Sequence, residues 1–86
     1  MSSRRYVRDP HVLWRQTLDA VLVLSPRADS AELFTDPGPA LWSLLLEPRT
    51  VEELESLVAA PNGWSADVVS DIVTRLVDCG ALLVVV

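Results

Sequence analysis

The chain has 86 residues, of which half are hydrophobic, and its formal net charge is −5. This length predicts one small domain, and the hydrophobic content is sufficient for a packed core, which excludes a disordered chain. A single cysteine excludes an internal disulfide, and no apolar run approaches the roughly 20 residues of a membrane-spanning helix. With no apolar signal segment near residue 1, we expect a cytoplasmic protein without membrane contacts.

The charge is distributed unevenly along the chain. Residues 1–27 contain five arginines and two aspartates, a net charge of +3, whereas residues 28–86 contain two arginines and ten carboxylates, a net charge of −8. Residues 1–10 are polar and predict a flexible N-terminal arm, followed by a single domain at residues 11–86. The arginine cluster of this arm is typical of a solvated tail, and it could alternatively steer an acidic partner.

Three short segments have the pattern of β-strands. His11–Thr17 alternates imperfectly, Ala20–Leu24 is an apolar run rich in β-branched residues, and Ala31–Thr35 alternates apolar with polar residues. The first two segments are expected to pair antiparallel. If the third lies at the sheet edge, its free N–H and C=O groups can pair with another chain.

Three helices are predicted after these strands. Asp36 is expected to cap the first helix, whose first turn tolerates prolines. Thr50 and Glu53 have the spacing of a capping box for the second helix, which is expected to end near Ala60. Ser65 is expected to cap the third helix, and Gly80 to close it in a left-handed conformation.

Each helix has an apolar stripe, and a final apolar segment follows. The expected stripes are Ala40, Leu41, Leu44 and Leu45 in the first helix, Val51, Leu54, Leu57 and Val58 in the second, and Val69, Ile72, Val73, Leu76 and Val77 in the third. Residues 81–86 predict a last short strand or a packed tail.

Residue types that perform chemistry are sparse. His11 and Cys79 are the only histidine and cysteine, and neither a metal-ligand spacing nor a glycine-rich phosphate loop occurs. We therefore expect a protein that is not an enzyme and uses no cofactor or metal. Asp71 and Arg75 have helical i, i+4 spacing and predict a surface ion pair, with an acidic partner for Arg75 as the alternative. The three tryptophans are expected in the core or at its rim.

The order of strands and helices, together with four sequence segments, resembles the PqqD-like proteins, the leader-peptide recognition elements of ribosomally synthesised and post-translationally modified peptide pathways. The segments are Val21–Pro26, the proline and glycine before Ala40–Leu45, Arg49–Leu54, and the third-helix stripe before Gly80. The resemblance covers roughly residues 10–83. The Asn-Pro-Thr-Gly-like turn that is usual in the family is replaced here by residues 35–39, Thr-Asp-Pro-Gly-Pro.

The resemblance implies an α+β fold of the winged helix-turn-helix type, with a three-stranded antiparallel sheet followed by three helices. It also implies that a precursor's leader peptide adds as a fourth strand beside the third strand and lies against the third helix. The peptide-binding residues implied in this way are Ala31, Glu32, Leu33, Phe34 and Thr35 on the strand, and Val68, Asp71, Ile72 and Arg75 on the helix. Either face of the strand could line the groove, and Ile72 could belong to the core, to the groove wall or to both.

The resemblance further implies partner enzymes, either a leader peptidase and a cyclase, as in lasso-peptide biosynthesis, or a radical S-adenosylmethionine enzyme. The alternative functions are a DNA-binding regulator, with residues 65–79 as recognition helix, and another protein-interaction adaptor. Charge argues against nucleic acid, because phosphate binding depends on Lys and Arg and this helix has three aspartates against one arginine.

Overall fold

A computed structural model describes residues 4–26 and 28–85. The strands are β1 (Arg5–Arg8), β2 (Leu13–Gln16), β3 (Ala20–Leu24), β4 (Glu32–Thr35) and β5 (Leu82–Val85). The helices are α1 (Gly38–Leu44), α2 (residues 51–62) and α3 (Ala66–Asp78). The helix α2 consists of three consecutive segments, which are α-helical Val51–Leu54, π-helical Glu55–Ala59 and α-helical Ala60–Asn62. The predicted α+β class is confirmed.

Strands β2, β3 and β4 form the predicted three-stranded antiparallel sheet, in that order. Val21 and Val23 of β3 and Phe34 of β4 are each 1% exposed and lie on the inner face, against the helices. Leucines from all three strands lie on the opposite, outer face and remain exposed. The sheet is therefore one wall of the core.

A second, two-stranded sheet joins the two ends of the described chain. Strand β1 pairs antiparallel with β5, and on its other side Tyr6 and Arg49 exchange backbone hydrogen bonds of 2.8 and 2.9 Å. The final strand was among the predicted alternatives, but β1 lies within the segment expected to be an arm. Residues 5–8 do not have the sequence pattern of a strand. They form one because they pair with β5, at the far end of the sequence, and the local sequence does not show this pairing.

Helix α1 begins one residue later than a cap at Asp36 would place it. Its N-cap residue is Pro37, and no side chain makes a capping hydrogen bond, so the prediction for Asp36 was wrong. The buried face of α1 contains Leu41, Trp42 and Leu45, while Ala40 is exposed. Leu41 and Leu45 of the predicted stripe are thus buried, but Trp42 is buried where the stripe had Ala40.

The capping box at the start of α2 is confirmed. The Thr50 hydroxyl accepts a hydrogen bond from the Glu53 N–H, and the Glu53 carboxylate accepts one from the Thr50 N–H, both at 3.1 Å. Further along, the π-helical turn contains more residues than an α-helical turn, which rotates the later side chains. As a result Val58 is buried but Leu57, expected in the same stripe, is 48% exposed.

Helix α3 has the core face that its sequence predicts. Val69, Ile72, Val73 and Leu76 are buried, and Gly80 has a φ of 83° at the end of the helix, as expected. Ser65 is the N-cap residue, but its side chain makes no capping hydrogen bond. None of the helices in the described part of the chain has the length and apolar character needed to cross a bilayer.

The two N-cap residues predict different costs of truncation. Thr50→Ala should destabilise the fold by about 1 kcal/mol, because the capping box loses its hydroxyl acceptor. Ser65→Ala, which removes no capping hydrogen bond, should cost a small fraction of that. Urea denaturation of both variants measures the difference, and equal losses would contradict the capping geometry.

The same capping box predicts an acid-sensitive contribution to stability. The hydrogen bond from the Thr50 N–H, with a smaller contribution from its hydroxyl, lowers the pKa of Glu53. A carboxyl group whose pKa is lower in the folded state stabilises the fold above its unfolded pKa, and this is lost as the pH falls through the folded pKa. Glu53→Gln should therefore flatten the acid side of the profile of unfolding free energy against pH, as measured by urea denaturation, and an unchanged acid side would contradict this role of Glu53.

Candidate functional site

The direction of backbone groups in the sheet follows from one hydrogen bond. The Thr17 N–H donates to the Ala20 carbonyl at 2.9 Å, so Ala20 directs its backbone groups toward β2. Residues of an antiparallel strand alternate in this respect. Leu22 therefore also faces β2, and the backbone groups of Val21 and Val23 face β4.

This alternation decides which residues of β4 have backbone groups at the edge. Phe34 lies opposite Val21, and Glu32 lies opposite Val23, so both direct their N–H and C=O groups toward β3. Leu33 and Thr35 direct theirs the other way. Among the described strands, β4 has a neighbour on one side only. These two residues consequently present backbone donors and acceptors at an open sheet edge.

The side chains of β4 separate into two faces. Phe34 is 1% exposed and packs in the core, whereas Leu33 is 56% exposed on the outer face. Thr35 and the preceding Ala31 are exposed, and Glu32 is partly buried. The buried face of β4 is therefore the one with Phe34 and Glu32, and the exposed face is the one with Leu33 and Thr35.

The four implied residues of α3 also differ in position. Ile72 is 7% exposed and belongs to the core cluster, and Val68 is partly buried against that cluster. Asp71 and Arg75 are exposed. Of these four side chains, Arg75 contacts residues of β4, through an ion pair and a ring contact.

Arg75 connects α3 with the inner face of β4. Its guanidinium nitrogen lies 3.5 Å from the Glu32 carboxylate, and its guanidinium carbon lies 4.6 Å from the centroid of the Phe34 ring. Within the described residues Arg75 forms its ion pair with Glu32, so the predicted pair with Asp71 was wrong. The stack on Phe34 and the attraction of Glu32 hold Arg75 on the side of α3 that faces the sheet.

No family model matches the chain, and no curated protein or solved structure matches it. The resemblance to PqqD-like proteins therefore depends on the sequence segments quoted for it, and the function is inferred from the geometry of the chain itself.

The histidine and the cysteine have local partners. His11 lies next to Asp9, with its ring Nδ1 3.2 Å from the carboxylate. The Cys79 thiol donates to the Leu76 carbonyl at 3.4 Å, and burial raises the pKa of this thiol, which keeps it protonated at neutral pH. In residues 4–26 and 28–85 there is no group of three or more His, Cys, Asp or Glu side chains that could hold a metal ion.

A second arrangement lies at the opposite edge of the sheet, and the sequence did not predict it. The Arg8 guanidinium lies over the rings of both Trp14 and Trp42, whose centroids are 6.1 Å apart in an edge-to-face arrangement. The two tryptophans are at the rim and in the core, as expected. Arg8 was missed as their partner because it belongs to the segment expected to be an arm.

The two faces of β4 predict opposite outcomes for the same substitution. Phe34→Glu should unfold the domain, with a loss of several kcal/mol, because it places a carboxylate in the core and removes the ring beneath Arg75. Leu33→Glu should change the stability by about 0.5 kcal/mol or less, because that side chain is already in solvent. Thermal unfolding followed by circular dichroism tests both, and a folded Phe34→Glu variant would contradict the assigned faces.

Proposed function

We propose that the chain is a non-catalytic leader-peptide-binding protein of the PqqD-like type, which binds a precursor peptide as a strand added to β4. It would present that peptide to modifying enzymes in the biosynthesis of a peptide natural product. The observation that supports the proposal most directly is the open edge of β4, where Leu33 and Thr35 have outward-facing backbone groups.

Strand addition uses backbone hydrogen bonds for affinity and side-chain positions for specificity. Leu33 and Thr35 each offer one N–H and one C=O to an incoming strand, and by the same alternation Ala31 extends this row. Each bond contributes about 0.5–1.5 kcal/mol net, so a few such bonds give only part of the binding free energy. The remainder has to come from side chains of the peptide.

An added strand would place its side chains alternately on the two faces of the sheet. One set would lie on the outer face beside the exposed Leu33. The other set would lie on the inner face, between β4 and α3, where Arg75 contacts Glu32 and Phe34 and where the resemblance also implies Val68 and Ile72 as peptide contacts. Because Arg75 already contacts Glu32 and Phe34 there, a peptide side chain must pack against its guanidinium or displace it from Glu32.

The finer fold assignment belongs to the same proposal. Three helices that follow a three-stranded sheet agree with a winged helix-turn-helix arrangement, in which α3 would take the place of a recognition helix. Its exposed Asp67, Asp71 and Asp78 would repel DNA phosphates, and Arg75 is paired with Glu32. This charge pattern favours a peptide over nucleic acid as the ligand.

The proposed partners follow from the resemblance. They are the leader of a precursor peptide and, in the cytoplasm, either a leader peptidase with a cyclase or a radical S-adenosylmethionine enzyme. Binding of the leader needs no metal, nucleotide or other cofactor in this proposal, since backbone groups and the side chains between β4 and α3 form the site.

Proline substitutions at neighbouring positions of β4 test strand addition. Leu33→Pro removes an N–H that points outward, so it should keep a near-native melting temperature and weaken leader binding roughly tenfold or more. Glu32→Pro removes an N–H that points toward β3, so it should lower the melting temperature. The measurements are circular dichroism melts and fluorescence anisotropy with a labelled leader from a precursor encoded next to this chain.

Glu32→Ala is the matched control for the second variant, because it removes the Arg75 ion pair and keeps the backbone N–H. It should fold with a melting temperature close to that of the unaltered chain. If Leu33→Pro is folded and binds the leader with unchanged affinity, the peptide does not add at this edge and the proposed function fails.

A further inference from the structure

A cavity of about 380 Å³ lies where β1, β2, α1 and β5 meet, away from β4 and α3. Its walls are mostly apolar and include Trp14, Trp42, Leu46 and Leu83. Trp14 and both leucines are partly exposed, so the cavity opens to solvent. Its volume is within the range of small-molecule binding sites, which use a few polar groups within apolar walls to orient a ligand.

The cation in this cavity has no counter-ion among the described residues. The Arg8 guanidinium carbon lies 5.0 Å from the centroid of the Trp14 ring and 5.1 Å from that of Trp42, and no carboxylate of residues 4–26 and 28–85 forms an ion pair with it. Two other arginines differ in this respect, since the partly buried Arg49 is paired with Glu47 and Glu53, and the exposed Arg75 with Glu32. Because Arg8 is partly buried, its charge is less well solvated than that of a surface arginine, and this lowers its pKa.

A second unpaired donor belongs to the same wall. The Trp42 indole N–H is buried and finds no hydrogen-bond acceptor in the part of the chain that the structure describes. Buried donors without partners are rare in native proteins and need an explanation. The one carboxylate among the described residues that line the cavity, Asp9, accepts a hydrogen bond of 2.9 Å from the His11 backbone N–H and lies 3.2 Å from the His11 ring Nδ1.

We propose that this cavity is a binding site for a carboxylate attached to an apolar group, with Arg8 binding the carboxylate and the Trp14 and Leu83 walls holding the apolar part. A guanidinium offers two parallel N–H donors to a carboxylate, and this bond strengthens where water is excluded. A peptide ending in an apolar residue and a short aliphatic acid share this chemistry. The site is separate from the β4 edge, so it does not depend on the proposed leader binding.

The test uses the full chain labelled with ¹⁵N and follows its three tryptophan indole signals. N-acetyl-L-leucine is titrated as a model of a peptide carboxyl terminus, hexanoate as an aliphatic acid, and N-acetyl-L-leucinamide as the uncharged control. The acid should shift the Trp14 and Trp42 signals with a Kd on the order of 1 mM, as expected for so small a ligand, and leave that of Trp64 in place. The amide should bind at least roughly tenfold more weakly.

Two matched substitutions assign the carboxylate contact. Arg8→Gln should abolish the difference between acid and amide, whereas Arg75→Gln, which alters the other arginine stacked on an aromatic ring, should preserve it. Should Arg8→Gln fail to fold, the comparison of acid with amide on the unaltered chain still decides. Equal binding of the two, or no saturable shift at about 50 mM acid, would overturn the proposal. The tighter of the two acids identifies the peptide or the aliphatic source.

Discussion

The pairing of Val21 with Phe34 across β3 and β4 determines both the core and the candidate site. It places the Phe34 ring under α1, where the approach is so close that a Cβ at Gly38 would lie 2.7 Å from the Phe34 Cβ. A one-residue slip of β4 would move Leu33 inward and Phe34 outward, because side chains alternate along a strand. The same slip would exchange the backbone groups at the open edge. The fold and the geometry of the proposed peptide-binding edge are therefore two consequences of a single register.

The β1–β5 sheet has a different role, since it ties the ends of the described chain to the helices. The backbone of Tyr6 is hydrogen-bonded to that of Arg49, directly before the capping box of α2. The Arg8 N–H donates to the Leu45 carbonyl at the end of α1. A domain of this size buries only about 60–65% of its unfolded surface, so such long-range backbone bonds matter for its stability. They also fix the Arg8 side chain over the two tryptophans.

Much of this fold could be predicted from sequence because its local patterns are strong. The capping box at Thr50, the apolar face of α3 and the left-handed Gly80 each depend on residues within one or two helical turns. Three features could not be predicted in this way. Strand β1 depends on a partner at the far end of the chain, the rotation at Leu57 depends on a π-helical turn, and the ion pair of Arg75 depends on the approach of β4. Of the candidate site, the strand could be proposed, but its buried face required the register.

Both edge strands of the three-stranded sheet have an aromatic ring on the inner face with an arginine stacked on it, Trp14 with Arg8 and Phe34 with Arg75. The difference between them is the counter-ion. At β4, Glu32 neutralises the arginine, so a ligand there has to compete with an existing contact, and backbone bonds at the open edge would supply part of its binding free energy. At β2, no described carboxylate forms an ion pair with Arg8, so an anion there would not have to break one. The two proposed sites would consequently take different ligands, an extended chain at one edge and a small carboxylate at the other, with the sheet between them.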